Sequence, residues 1–208
     1  MPTQLKVLVP NLGIGNLASV CNMVRKCGGE PQVVSEPEGL EQGRRVILSG
    51  VGAFDAGMGV LRRGGWIEPL SNIARESRVP ILGICLGMQL MCRRSEEGAL
   101  PGLGWFDAEV KRISPPEASS LKVPHMGWNE IHVLNQCTLL PDLVEQQRFY
   151  FVHSYHVVCA NSEEVVATTS YGGDLTAAIH KNQIYGVQFH PEKSHQFGMA
   201  LIRRFLSV

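Results

Sequence analysis

An apolar run, Pro80-Ile81-Leu82-Gly83-Ile84, leads into Cys85, and Leu86-Gly87-Met88-Gln89 follows it. A Gly-x-Cys-x-Gly step between a strand and a helix is the thiol form of a nucleophile elbow. A nucleophile held in a sharp, strained turn needs neighbours two residues away on either side that are almost free of side chain. Gly83 and Gly87 meet that need. The turn also sets Cys85 at a helix N-terminus, where free N–H groups and the dipole favour a thiolate. It aims the N–H of Leu86 at the oxygen of an attacked carbonyl. The same flanks would suit a buried structural cysteine packed against nearby backbone, and a five-residue motif leaves both readings open.

A thiol of ordinary acidity needs a base. Of the seven histidines, His190 is the candidate, in Gly186-Val187-Gln188-Phe189-His190-Pro191-Glu192. It ends a predicted strand far along the chain from Cys85, so the fold must bring the two together. Glu192 lies two residues on, where a carboxylate could accept from the second imidazole nitrogen and fix its tautomer. Alone, the pair reads equally as a strand-end histidine beside a solvated glutamate; with the elbow present, the two signals support each other. Cys21, Cys27, Cys92, Cys137 and Cys159 lack glycines two residues away on both sides and read as structural or incidental. No C-x-x-C pair occurs, and the cysteines and histidines are scattered, which argues against a zinc site and for free thiols in a reducing compartment.

The elements that must position these groups follow from periodicity. Strands are predicted at residues 5–10, 32–35, 46–49 and 79–84. Helices are predicted at 16–27, after the glycine-rich stretch 50–59, at 69–77 and at 86–93. Strand–helix alternation of this kind means a parallel sheet covered on both faces. The second half changes character. Residues 106–113, 129–133, 149–158, 165–170, 176–180 and 184–189 are β-prone, with turn residues between several of them, and predict antiparallel hairpins. A last helix is predicted at 194–206, and 115–120 is the best candidate for a flexible loop. The expectation is one α/β domain over residues 1–208, with a central mixed, mostly parallel sheet flanked by helices and an antiparallel, strand-rich second half.

Composition bounds the function. Lys plus Arg and Asp plus Glu both number 19, so the formal net charge is zero. Phosphate binding calls for a basic excess, so a nucleic-acid or membrane-surface role is disfavoured. No apolar run is long enough to span a bilayer, and the N-terminus lacks the order of a signal peptide. The chain reads as cytoplasmic.

Gly-Ile-Cys-Leu-Gly-Met-Gln together with the distant His-Pro-Glu resembles the class I, triad-type glutamine amidotransferases. More closely, the chain resembles the HisH family, the glutaminase subunits of imidazole glycerol phosphate synthase. The likeness covers essentially the whole chain. It includes Gly13-Ile14-Gly15-Asn16-Leu17, Gly50-Val51-Gly52-Ala53-Phe54, Ser95-Glu96-Glu97-Gly98, Pro124-His125-Met126-Gly127-Trp128-Asn129 and Phe151-Val152-His153-Ser154-Tyr155. Two departures stand out: Ser49 where the family commonly has Pro, and Pro10-Asn11-Leu12 where an Ile-Asp-Tyr type of sequence is frequent.

The resemblance implies a Cys85–His190–Glu192 triad and hydrolysis of glutamine through a thioester, with no metal or organic cofactor. It implies an oxyanion hole from the N–H groups of Val51 and Leu86. Glutamine would be bound by Gly52, Gln89, Glu97 and the backbone of Ser154 and Tyr155, with Glu97 meeting the substrate ammonium. It also implies a (β/α)8-barrel synthase subunit as partner, faced by Asn16, Met126, Trp128, Tyr155 and Lys193, which receives the ammonia for histidine biosynthesis. Three other readings keep the same fold. The ammonia could feed a sugar amidotransferase in surface-polysaccharide synthesis. The chain could be a stand-alone γ-glutamyl hydrolase, or a domain that only binds and regulates a partner.

Overall fold

The computed structural model describes residues 5–42, 44–76, 79–141 and 147–208. Its first half alternates strand and helix: β1 (Lys6–Pro10), α1 (Leu17–Lys26), β2 (Glu30–Val34), β3 (Val46–Gly50), α2 (Phe54–Arg63), α3 (Ile67–Glu76), β4 (Ile81–Cys85) and α4 (Leu86–Leu90). Next come β5 (Arg94–Ser95), β6 (Ala108–Arg112), β7 (His125–Glu130), β8 (His132–Val133), β9 (Arg148–His153) and β10 (Tyr155–Cys159). The chain ends with β11 (Val165–Ser170), β12 (Asp174–Lys181), β13 (Ile184–Val187) and α5 (His195–Phe205).

One eight-stranded sheet runs in the order β2-β1-β3-β4-β13-β12-β11-β8. From β2 to β13 the neighbours are parallel, and from β13 to β8 they are antiparallel. This is the mixed sheet expected from the sequence. The central strands β3, β4 and β13 are buried along their whole length, as strands covered on both faces must be. Two smaller sheets flank it, β10-β6-β5 and the two-stranded β7-β9.

Four spans differ from expectation. The single strand expected at 149–158 is two strands in different sheets, β9 and β10, which part at Ser154. The strand expected at 129–133 likewise divides at Ile131 into β7, in the small ribbon, and β8, at the edge of the main sheet. β-propensity is unbroken across both joints; what divides them is the choice of distant partners. The third difference is α2, which begins at Phe54, inside the glycine-rich stretch rather than after it. Gly57 is used there for packing: a Cβ on it would sit 3.1 Å from both methyls of Leu90 and 3.2 Å from Leu86. The helix expected at 86–93 ends at Leu90, and the last residue of the 69–77 helix lies outside the described residues.

Among the described glycines, the closest backbone approach sets α4 against β3. A Cβ on Gly87 would lie 1.8 Å from the Leu48 carbonyl oxygen, and one on Gly83 would lie 2.8 Å from Met88 N and 2.9 Å from Gly87 C. Both partners are backbone and cannot swing aside. Gly87→Ala is therefore expected to cost on the order of 3 kcal/mol or more, a fall of roughly 6–12 °C in Tm for a domain of this size. Gly173→Ala, which meets nothing within 4 Å, is the control. A Gly87→Ala protein that melts no lower than that control would show that the approach is not the constraint described.

Candidate functional site

The elbow forms where β4 passes into α4. Cys85 has φ 53 and ψ −110, a conformation that costs an L residue about 1–3 kcal/mol and persists only when its surroundings impose it. Those surroundings are the close approaches at Gly83 and Gly87 just described. Leu86 opens α4, so its N–H has no acceptor within the helix. The register of β3 on β4 pairs Gly50 with Cys85, which brings Val51 and Gly52 beside the sulfur. Gly52 has φ +110.

The long gap in sequence between Cys85 and His190 is closed by the sheet. β13 lies next to β4, with Val187 opposite Ile84, so residues 188–190 run past the elbow. His190 Nδ1 and Glu192 Oε1 are 2.7 Å apart, with side chains 3% and 6% exposed. A carboxylate accepts, so Nδ1 carries the proton. The other ring nitrogen is buried and has no hydrogen-bond partner of ordinary geometry. Burial alone would disfavour the imidazolium, but hydrogen bonding and charge from Cys85 and Glu192 outweigh it and push the pKa up to about 9.

A cavity of about 440 Å³ opens at the elbow, within the range of small-molecule sites. Its walls include Val51, Gly52, Cys85, Leu86, Gln89, Glu97, Ser154 and Tyr155, each of them singled out by the sequence. Ser154 enters the wall because the chain changes sheets there. Glu97 Oε2 accepts from the Phe54 N–H at the start of α2, at 2.8 Å. The Gln89 amide nitrogen is already committed, to the Tyr155 carbonyl at 3.1 Å and to Gln188 Oε1 at 3.0 Å.

The residues expected to face a partner lie outside that wall, Tyr155 excepted. Met126 and Trp128 point outward from β7 and are 61% and 41% exposed. Trp128 stacks on His195 at 5.4 Å between ring centroids, and the exposed Lys193 places its ammonium 5.4 Å from the centre of the Tyr150 ring. Asn16, also exposed, caps α1 by accepting from Ser19 N at 3.1 Å.

Several residues at the site escape a reading of the sequence. Ser194 donates to the His190 carbonyl at 2.6 Å and accepts from Tyr150 N at 3.0 Å, fixing the backbone under the imidazole. Asp55 accepts from the N–H groups of Ala99 and Leu100 and anchors the loop that carries Glu97. Gln188 is fully buried, and its amide nitrogen lies 3.6 Å from Cys85 Sγ. A polar residue at an apolar strand end, two residues before a candidate base, was the one available signal. Burial raises the thiols of Cys21, Cys27, Cys92, Cys137 and Cys159, so none of them is primed as a nucleophile. Among the described residues no three His, Cys, Asp or Glu side chains cluster to hold a metal ion.

Comparison with known proteins agrees with this geometry. The family model described as glutamine amidotransferase class-I matches residues 8–208. The imidazole glycerol phosphate synthase subunit HisH 2 of Pseudomonas aeruginosa is 43% identical, over 97% of this chain and 99% of that protein. Subunit HisH of Leptospira borgpetersenii is 42% identical, over 94% and 97%. Among solved structures, PurLQS from Thermotoga maritima has a TM-score of 0.76 at 18% identity, covering 99% of both chains. A structure described as a glutamine amidotransferase has a TM-score of 0.72 at 21% identity, covering 97% of both. These likenesses place the fold, and the sequence relatives place the lineage: the chain belongs to the class-I glutamine amidotransferase family, among the HisH subunits of imidazole glycerol phosphate synthase.

Proposed function

We propose that this chain hydrolyses glutamine to glutamate and ammonia as the glutaminase subunit of an imidazole glycerol phosphate synthase, with Cys85 as nucleophile and His190 and Glu192 as its acid–base pair. The observation that carries the assignment is the buried Nδ1–Oε1 contact of 2.7 Å beside a cysteine in a forced backbone conformation. Cys85 sulfur attacks the side-chain carboxamide carbon, and the N–H groups of Leu86 and Val51 take up the charge on oxygen. His190 gives its proton to the departing nitrogen, leaving a thioester. The now neutral imidazole takes a proton from water as its oxygen attacks the thioester carbonyl. Collapse releases glutamate and returns the sulfur anion beside a protonated His190. Gly52, Gln89, Glu97, Ser154 and Tyr155 hold the substrate.

The ammonia passes to a (β/α)8-barrel synthase subunit that docks against Asn16, Met126, Trp128, Tyr155 and Lys193. Exposed aromatic and Met side chains are the composition expected of such a contact. No described helix is long and apolar enough to cross a membrane, and the free cysteines suit a reducing compartment, the cytoplasm.

Cys85→Ala is expected to abolish glutamate release, and ammonia supplied directly is expected to restore the partner's reaction. Glutamate release by a folded Cys85→Ala protein would sink the assignment of the nucleophile.

The state of His190 yields a pH signature. Its folded pKa of about 9 lies above the ordinary 6.5, so its protonation adds stability that is complete below about 6.5 and lost as pH rises through 9. Glu192→Gln removes one of the groups that raise it. The gap in Tm between the native protein and Glu192→Gln should be widest near pH 6 and narrow toward pH 9.5. A gap constant across that range would rule out an imidazolium held by Glu192.

The chain alone should be a poor glutaminase that its partner switches on. Val51 lies between Gly50 and Gly52, whose flanking peptides rotate at low steric cost. If its N–H is turned away at rest, one oxyanion donor is missing, worth about 10²–10³-fold in rate. Partner and acceptor substrate would then favour the inward peptide by binding it more tightly. Glutamine turnover should rise by that order only when both are added; equal turnover by the chain alone would favour a stand-alone hydrolase.

A further inference from the structure

A line of hydrogen bonds, buried at the sulfur and part-buried to exposed further out, runs from Cys85 to the β7–β9 ribbon, and one carbonyl fixes the direction of every bond in it. The Tyr155 carbonyl can only accept, so the two atoms facing it are donors: Gln89 Nε2 at 3.1 Å and His153 Nδ1 at 2.8 Å. With its nitrogen so assigned, Gln89 also donates to Gln188, whose facing atom, at 3.0 Å, must be the carbonyl oxygen. Gln188 is then obliged to turn its nitrogen the other way, toward Cys85 Sγ at 3.6 Å, a reach suited to the large sulfur atom.

The opposite branch is equally determined. His153 carries its proton on Nδ1, so its bare Nε2 accepts from His125 Nδ1 at 3.0 Å. His125 Nε2 then accepts from Asn129 Nδ2 at 3.2 Å, which also donates to the Ser170 carbonyl at 3.0 Å. The line needs both rings neutral, and burial lowers His125 to about 4 and His153 to about 3. His125 and Asn129 alternate along β7 with the exposed Met126 and Trp128.

We propose that Gln188 is the uncharged donor that holds the Cys85 sulfur and stabilises its anion, and that Gln89 is a positioning residue that orients Gln188 from the Tyr155 carbonyl. The inference rests on Cys85 being the nucleophile. Its chemical logic is that the amide adds to His190 without following its charge. The imidazole gains and loses its proton during turnover, whereas an amide does not titrate, so its N–H stays a donor to the sulfur at every stage. Gln188 is fully buried, and a buried anion needs a fixed donor.

The test is alkylation of Cys85 by iodoacetamide across pH in the full chain without glutamine, resolved by peptide mass spectrometry from the other cysteines. Gln188→Leu keeps similar volume and removes the donor. It should raise the pH midpoint by about one pH unit, a roughly tenfold slower reaction at pH 7. Gln89→Leu should shift the midpoint in the same direction by less. The double variant should be no worse than Gln188→Leu, because the two act in series. Far-ultraviolet circular dichroism and Tm establish that each variant is folded. Should Gln188→Leu fail to fold, Gln188→Glu, which sets a carboxyl group against the sulfur, should raise the midpoint at least as far. An unmoved midpoint in a folded Gln188 variant, or fully additive shifts in the double, overturns the proposal. Glutaminase activity retained by Cys85→Ala would instead overturn the nucleophile assignment, and the alkylation result would not depend on it.

Discussion

The site depends on how close the backbone of α4 comes to the backbone of β3. No side chain larger than hydrogen fits at Gly87 under the Leu48 carbonyl, and that approach starts the helix hard against the sheet. The preceding residue but one, Cys85, is thereby driven to φ 53, and its sulfur is presented at the end of a central strand, where Leu86 opens the helix. The same economy of space recurs one layer out. Gly57 lets α2 close on Leu86 and Leu90, and the first N–H of α2 is met by Glu97. Cys85 and a wall of the cavity are thus placed by packing of backbone on backbone, which tolerates little adjustment.

Electrostatics then separates histidines that the sequence presents as equals. His190, His125 and His153 are all buried, and burial alone drives each toward neutrality. His190 meets a carboxylate and a cysteine and is held protonated to about pH 9. His153 meets a carbonyl and another imidazole, and His125 an imidazole and an amide, so both stay uncharged. The identity of the partner atom decides the state, and with it whether a ring can donate a proton or can only relay a hydrogen bond.

Much of this was legible in the chain. The elbow announces itself because glycines two residues either side of a cysteine have a steric meaning, and His190 because it ends a strand two residues before Glu192. The alternating first half predicted the parallel strands. The joints at Ser154 and Ile131 were hidden, since local propensity carries no word of which distant strand each half will pair with. Gly57 and Gly59 misled in the other direction: read as breakers, they lie inside α2, where Gly57 admits a neighbouring helix. Gln188 was concealed by its setting, a polar residue whose partners, Gln89 and Cys85, lie on another element.

The passage from strand to helix at the elbow divides its residues between two sides of the molecule. Ile84 and Cys85 pack with Val7, Ile47, Val187 and Phe189, while Leu86 and Met88 pack with Leu8, Leu48, Phe54 and Leu61. Cys85 thus stands at a seam between two separately packed interiors. A volume error in either would be transmitted to the same turn, and enlarging one can be offset only by a matched change on its own side.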